Sequence, residues 1–192
     1  MTCRIVLALT GASGAALGLR IAQRLAARPD VETELVVSAA ARRTLAHEVG
    51  PKAYDQVTSM ATRSHDQADI GASIASGSLG TAGMIIAPCS MRTLAAIAAG
   101  ITDNLVTRAA DVHLKERRRL VLLARETPLH LGHLRNMVAV TEIGAIVMPP
   151  VPAFYHRPET LEDVVDHLAA RAIDLLGLPG KPEARAWDGE TG

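Results

Sequence analysis

Apolar residues follow two alternating rhythms along this chain. Short solid runs at Arg4 to Leu9, Val31 to Val37, Met84 to Ala87, Leu120 to Ala124 and Ala145 to Met148 predict strands buried on both faces. Between them the spacing changes to i, i+4, i+8, as in Leu17, Ile21 and Leu25. That spacing predicts helices over Ala15 to Arg28, Ala39 to Val49, Arg92 to Ala99, Asn104 to Glu116, His133 to Glu142 and Thr160 to Leu176. Pro29-Asp30 and Gly50-Pro51 stop the first two. Lys52 to Gly80 is less regular and contains the small, polar cluster Gly71 to Ser78. Pro149 to Pro158 is a proline-rich loop holding Phe154 and Tyr155. Strand and helix in alternation imply an α/β fold, a single-domain doubly wound parallel sheet of Rossmann-like type. Residues 1–178 form the domain, and the polar tail 179–192 is expected to order only at subunit contacts. Such sheets bind ligands beyond the carboxyl ends of their strands. Thr10 to Gly14, Ser38, Pro88 to Thr93, Arg125-Glu126 and Pro149 to Tyr155 all directly follow strands, so the polar chemistry collects on one edge.

Composition narrows this picture. Of 192 residues, 48% are hydrophobic, more than a lone soluble domain needs to bury, which points to contacts between copies of the chain. Aromatic residues make up 2%, so the core rests on Ala, Val, Leu and Ile. Basic and acidic residues balance at 20 each, which argues against a nucleic-acid binder, since that needs a basic face or stacking platforms. Cys3 and Cys89 have neither metal-ligand nor disulfide spacing, which suits a reducing, cytoplasmic setting. The first apolar run is strand-length and meets a Gly-rich turn rather than a cleavage site. No stretch reaches the roughly 18 apolar residues of a membrane span.

Several short motifs carry chemistry. Gly11-Ala12-Ser13-Gly14 joins strand to helix, either as a phosphate or flavin loop with a serine hydroxyl or as a tight turn alone. Thr10 to Gly18 also resembles the dinucleotide fingerprint of short-chain dehydrogenases, but against that reading stand Val36-Val37-Ser38, where an acid should end the second strand, and the lack of a Tyr-x-x-x-Lys pair. Ser90-Met91-Arg92-Thr93 offers two hydroxyls and a cation at a helix start, or a plain serine cap with an exposed arginine. Arg108 and Lys115 are two helical turns apart and share a face. Arg117 to Arg119 read as a solvated helix end. Arg125 ends an apolar strand beside Glu126. By pattern alone Glu48 is a surface carboxylate, Tyr155 a packed loop residue and Arg171 a helix-surface cation. None of the seven histidines makes a metal pair.

Taken together, Thr10-Gly-Ala-Ser-Gly14, Ser38-Ala-Ala40, Pro88-Cys-Ser90 with Thr93, Leu105 to Val112, Leu114-Lys-Glu-Arg-Arg118, Arg125 to His133 and Ile143 to His156 resemble the UbiX-type flavin prenyltransferases. The resemblance implies that Gly11, Ala12, Ser13, Ser38, Ser90, Met91, Arg92, Thr93 and Arg125 hold FMN. It implies that Arg108, Lys115, Tyr155 and Arg171 hold dimethylallyl phosphate, and that Ser13, Glu48, Lys115 and Glu126 are catalytic without a metal. It further implies a homo-oligomer, a dodecamer with sites at subunit junctions, whose prenylated FMN goes to a UbiD-type decarboxylase. The family has also been described as aromatic acid decarboxylases. Cysteine decarboxylases of the same fold carry a histidine soon after the first strand and an Asn-bearing loop; here Ala15 to Arg28 has no histidine and the loop reads Pro88-Cys-Ser-Met-Arg-Thr93.

Overall fold

The computed structural model of the chain describes residues 2–187 and residue 189. The end of the expected tail segment, residues 188 and 190–192, lies outside these described residues. Six parallel strands form the sheet: β1 (Cys3–Leu9), β2 (Val31–Val37), β3 (Arg63–His65), β4 (Gly83–Cys89), β5 (Arg119–Ala124) and β6 (Ile146–Val147), in the order β3-β2-β1-β4-β5-β6. The helices are α1 (Ala15–Ala26), α2 (Ala39–Glu48), α3 (Ala53–Met60), α4 (Met91–Ala98), α5 (Leu105–Lys115), α6 (Leu131–Glu142) and α7 (Leu161–Asp174). The chain leaves β1 in one direction for β2 and β3 and returns to β1's other side for β4, so the switch point lies between β1 and β4.

The pleat divides the core. Ile5, Leu7 and Leu9 of β1 point with Leu35 and Val37 of β2 toward α1, α2, α3 and α7. Val6, Ala8, Val36, Met84 and Ile86 point toward α4, α5 and α6. Both faces of β1 and β4 are therefore covered, which is why these strands read as unbroken apolar runs. Helix α1 lies unusually close to the sheet because position 18 is glycine: a Cβ there would sit 2.4 Å from the Ala87 carbonyl oxygen.

The structure differs from the sequence reading in defined places. α3 and β3 occupy the stretch expected to be irregular. β4 is longer than Met84 to Ala87 and is bulged between Ile86 and Cys89. β6 is only two residues long. α6 begins two residues early, capped by the His130 ring, which accepts from the Gly132 and His133 amides. Residues 179–187 run back along α1 and α7 of their own protomer. Glu183 pairs with Arg24 at 2.9 Å, and Asp174 accepts from the Glu183 and Ala184 amides at 2.6 and 3.0 Å. Among the described residues no helix is long and apolar enough to cross a membrane.

Candidate active site

The carboxyl ends of β1 and β4 are tied together by a side chain the motif reading did not single out. The Thr10 hydroxyl donates to the Pro88 carbonyl at 2.7 Å and accepts from the Ser90 amide at 2.8 Å. This fixes the Gly11–Gly14 turn against the Ser90–Thr93 turn across the switch point. Ser38 is placed next to them by its amide, which donates to the Leu9 carbonyl, while its hydroxyl caps α2. Arg125 joins the same rim because its amide donates to the Cys89 carbonyl. In the sequence Thr10 stood only as the first residue of the Thr10–Gly14 turn, with nothing to mark its hydroxyl as the tie between the strands.

The Gly-rich turn is an anion site, but its anion belongs to the chain. Glu48, at the end of α2, accepts from the Gly14 and Ala15 amides, each at 2.8 Å, and from the Ser13 hydroxyl. Glu48 is exposed, as its pattern suggested, but it is also the acceptor of the turn's amides, which the pattern did not reveal. Partial burial would raise its pKa, yet the Ala15, Ser13 and Gly14 hydrogen bonds, with the nearby charge of Arg125, hold it below the usual carboxylate range. These two amides are therefore engaged internally and not open to a phosphate. Gly11 has a packing reason as well, since a Cβ there would meet the Ala40 Cβ at 2.4 Å. Ala12 between them is buried.

The Ser90 turn has the geometry of a serine cap. Its hydroxyl accepts from the Thr93 amide and donates to the Thr93 hydroxyl at 3.0 Å. Met91 and Thr93, in the first turn of α4, are buried. Arg92 is exposed and pairs with Asp103 at 2.6 Å.

The remaining cations divide into paired and unpaired. Arg108 pairs with Asp111 at 2.8 Å, and Lys115 pairs with its neighbour Glu116. Among the described residues Arg125 and Arg171 have no acidic partner in hydrogen-bonding reach. An exposed, unpaired guanidinium beside serine hydroxyls at a switch point suits a phosphate or the polar edge of a flavin. Glu126 stands next to Arg125 on the rim, its carboxylate accepting from the Thr127 amide at 3.0 Å. Arg118, grouped by pattern with a solvated helix end, is a partly buried staple. Its guanidinium donates to the Gly77 and Leu79 carbonyls and to the Thr81 hydroxyl.

One protomer does not bring all the candidates together. Lys115 ends α5, four residues before β5 begins, whereas Arg125 follows β5's last residue. Six strand residues, roughly 20 Å, separate the two edges. Ser13, Ser38, Glu48, Ser90, Arg125 and Glu126 sit at the carboxyl rim, Arg108 one turn down α5 from that rim, and Lys115 at the opposite edge. Tyr155, in the 3-10 turn Phe154–His156, and Arg171, on α7, form a third group, linked through the His156 and His167 rings. The Tyr155 ring lies against His156, with centroids 4.3 Å apart, and edge-on to Trp187 at 5.5 Å. Three apolar side chains of α6, Leu131, Leu134 and Val138, form an exposed stripe; Leu131 and Val138 are 59% and 57% accessible. Phe154 is 75% accessible. Such an uncovered stripe is what a subunit interface would cover. Among the described residues no group of three His, Cys, Asp or Glu could hold a metal ion.

Residues 1–173 match the family described as Flavoprotein. The chain is 53% identical over 188 residues to flavin prenyltransferase UbiX of Escherichia coli strain K12, covering 97% of this chain and 98% of that one. Its fold superposes with a TM-score of 0.92 on AnUbiX in complex with FMN and dimethylallyl pyrophosphate, at 46% identity and covering 100% of both chains. The TM-score is 0.91, at 49% identity over 97% of this chain and 100% of the other, for a dodecameric FMN-dependent UbiX-like decarboxylase from Escherichia coli O157:H7. With an end-to-end match in sequence and in fold, the chain belongs to the flavoprotein family and, within it, to the UbiX flavin prenyltransferases.

Proposed function

We propose that this chain joins a dimethylallyl group from dimethylallyl phosphate to N5 and C6 of reduced FMN, in a cytoplasmic homo-oligomer, a dodecamer, that supplies prenylated FMN to a UbiD-type decarboxylase. The observation behind it is the unpaired Arg125 beside the Ser13–Glu48 network at the β1/β4 switch point, in a chain that aligns over its full length with AnUbiX, solved with FMN and dimethylallyl pyrophosphate.

The fit to FMN follows from the donors present. Arg125 is free for phosphate or a ring carbonyl, and Ser38 and Ser90 add hydroxyls at strand ends. Reduced FMN contributes an electron-rich N5 and an adjacent C6 carbon. The chain's own task is to accept phosphate as the allylic C–O bond breaks, to keep water away, and to move protons. Arg108, Lys115 and Arg171 supply positive charge where the leaving phosphate gains negative charge, worth several kcal/mol in a dry, fixed site. Bond formation at N5 releases the N5 proton. Closure at C6 needs a proton on the allylic double bond and the loss of one from C6. Glu48, Glu126 and the released phosphate are the acceptors in reach of that scheme, with Ser13 holding Glu48.

Because Lys115 and Arg125 stand at opposite edges of one protomer, the complete site requires residues from more than one copy. Two experiments test the reading. Protein incubated with reduced FMN and dimethylallyl phosphate should yield a flavin heavier by one C5 unit in mass spectrometry; carbon dioxide release from an aromatic acid without that gain would support a decarboxylase instead. Lys115→Ala and Arg125→Ala assemblies should each be inactive, and assemblies mixed from both variants should regain turnover. Inactive mixed assemblies would mean that the two side chains do not meet across an interface.

A further inference from the structure

Beside Tyr155 and Arg171 lies a group of side chains that the scheme above does not use. The His156 ring packs against the His167 ring of α7, centroids 4.5 Å apart and tilted by 58°. His156 Nε2 is buried with no hydrogen-bond partner. Arg171 is one turn further along α7 from His167, and the two line the same side of the helix. The two histidines border a cavity of about 370 Å³, lined also by Arg157, Glu159 and Asp163.

Most charges around this pair already have partners of their own, Arg171 excepted among the described residues. The three aspartates of α7 are committed elsewhere. Asp163 accepts from the Glu159 and Thr160 amides, Asp166 is held by Arg20 and Arg24, and Asp174 by the Glu183 and Ala184 amides. Facing the pair are therefore Arg171 and the Tyr155 phenol, with Glu159 and Arg157, which has a partner of its own, on the cavity wall, and each histidine's own partner. In the free protein, burial, then His156, then Arg171 hold His167 below the usual imidazole range, against the weaker pull of Asp166 and Asp174. A phosphate dianion at Tyr155 and Arg171 would reverse the sign of that field, because an opposite charge within a few ångströms favours the protonated ring.

We infer that the His156–His167 pair takes up a proton when a phosphate dianion binds at Tyr155 and Arg171, so that donor capture by this enzyme is coupled to pH. The inference rests on the placement of the donor phosphate given under Proposed function. The histidines act as positioning residues: the proton they gain adds a second positive charge behind Arg171 and stays on the imidazole through binding. By linkage, binding that takes up one proton weakens about tenfold for each pH unit of increase over the range in which the pair is neutral in the free protein and protonated with the donor bound.

The test is calorimetry on the FMN-loaded oligomer with oxidised flavin, which does not react. Dimethylallyl phosphate is titrated at pH 7.5 in buffers of differing ionisation enthalpy. The apparent binding enthalpy should vary with buffer enthalpy with a slope near one proton taken up. His167→Asn and, independently, His156→Asn should bind FMN normally, still bind the donor, and lose the slope. A wild-type slope of zero, or a slope that survives in both variants, overturns the inference and leaves the donor site intact. No donor binding by wild-type protein at all would instead remove the site on which the inference stands.

Discussion

Replacing Glu48 by glutamine keeps the shape of the side chain and removes only its charge. In the native protein one carboxylate oxygen receives the Gly14 and Ala15 amides, both at 2.8 Å, at the first turn of α1. Hydrogen bonds to a charged group contribute about 1.5–3 kcal/mol and neutral ones about 0.5–1.5, so the neutral carboxamide of the Glu48→Gln variant would forfeit about 1 kcal/mol per bond. Loss of a negative charge at a helix N-terminus adds about 0.5 kcal/mol. The carboxylate is open to solvent on one side, which reduces the sum, and a destabilisation of about 1–2 kcal/mol remains. For a chain of this length that corresponds to a fall in Tm of about 3–6 °C. The assay is thermal unfolding of FMN-free protein at one fixed concentration, since assembly makes Tm concentration-dependent. The pH profile supplies a second check. A carboxylate held low stabilises the fold at all pH values above its unfolded titration near 4.5, and that contribution disappears only as pH falls through the lower folded value. The gap between wild type and Glu48→Gln should therefore stay constant from about pH 8 to about pH 5 and close below about 4.5. Equal stability at neutral pH, or a gap that already closes between about pH 7 and 6, would refute Glu48 as the internal anion of the α1 turn. Slower prenylation by a variant that shows the stability loss would add a role in the reaction; unchanged turnover would confine Glu48 to structure.

Three further outcomes are expected. Gly18→Ala should destabilise by about 1–2 kcal/mol in denaturant unfolding: overpacking against the Ala87 carbonyl at 2.4 Å and the Leu9 side chain at 2.7 Å costs about 1–3 kcal/mol, partly offset by the roughly 1 kcal/mol gained in helix propensity; a stabilised variant would mean that α1 is not pressed against β4. Thiol labelling of native protein should modify Cys3 and spare Cys89, whose complete burial pushes its thiol up to about 12, and rapid reaction of both would contradict the packing of β4. His113 is held below the usual imidazole range by burial first and then by Arg118, against its hydrogen bond to the Ala109 carbonyl. Its contribution to stability is complete above the unfolded value near 6.5 and is lost as pH falls below it, because the unfolded chain binds the proton more readily. Urea midpoints should therefore drop from about pH 7.5 to about pH 5.5, with a smaller drop in His113→Gln.

The strands that carry the site were legible because they are central. β1 and β4 are covered on both faces, so burial alone writes an apolar run, and the residues just beyond each run fall at the rim by topology. β3 escaped the same logic. Arg63-Ser-His65 is polar, pairs with β2 alone, and is held by ladder hydrogen bonds that leave no mark on side-chain type. α3 has only Ala53 and Val57 buried, too few positions to set a period. Glu48 was illegible for another reason: its partners stand 33 and 34 residues upstream and are backbone amides, which any residue type could present.

The division of the site follows from the order of elements alone. In a parallel sheet, a residue just before a strand and a residue just after it lie on opposite edges, so Lys115 and Arg125 on either side of β5 cannot serve one ligand in one protomer. Arg171 is set apart by the same geometry, since α7 descends from the rim and reaches Arg171 one turn before its end. Yet, among the described residues, Arg125 and Arg171 are the candidate cations without an acidic partner, while Arg92, Arg108 and Lys115 are neutralised within their own chain. A cation that the fold leaves uncompensated is ready for an anion from outside, whereas a paired one must first exchange its carboxylate for phosphate. Arg125 and Arg171 should therefore dominate ligand capture, with Arg108 and Lys115 engaging only when assembly brings phosphate close enough to compete with Asp111 and Glu116. On this view the complete set of cations forms only where copies meet, and an exposed apolar stripe such as that of α6 is the kind of surface such a contact would cover.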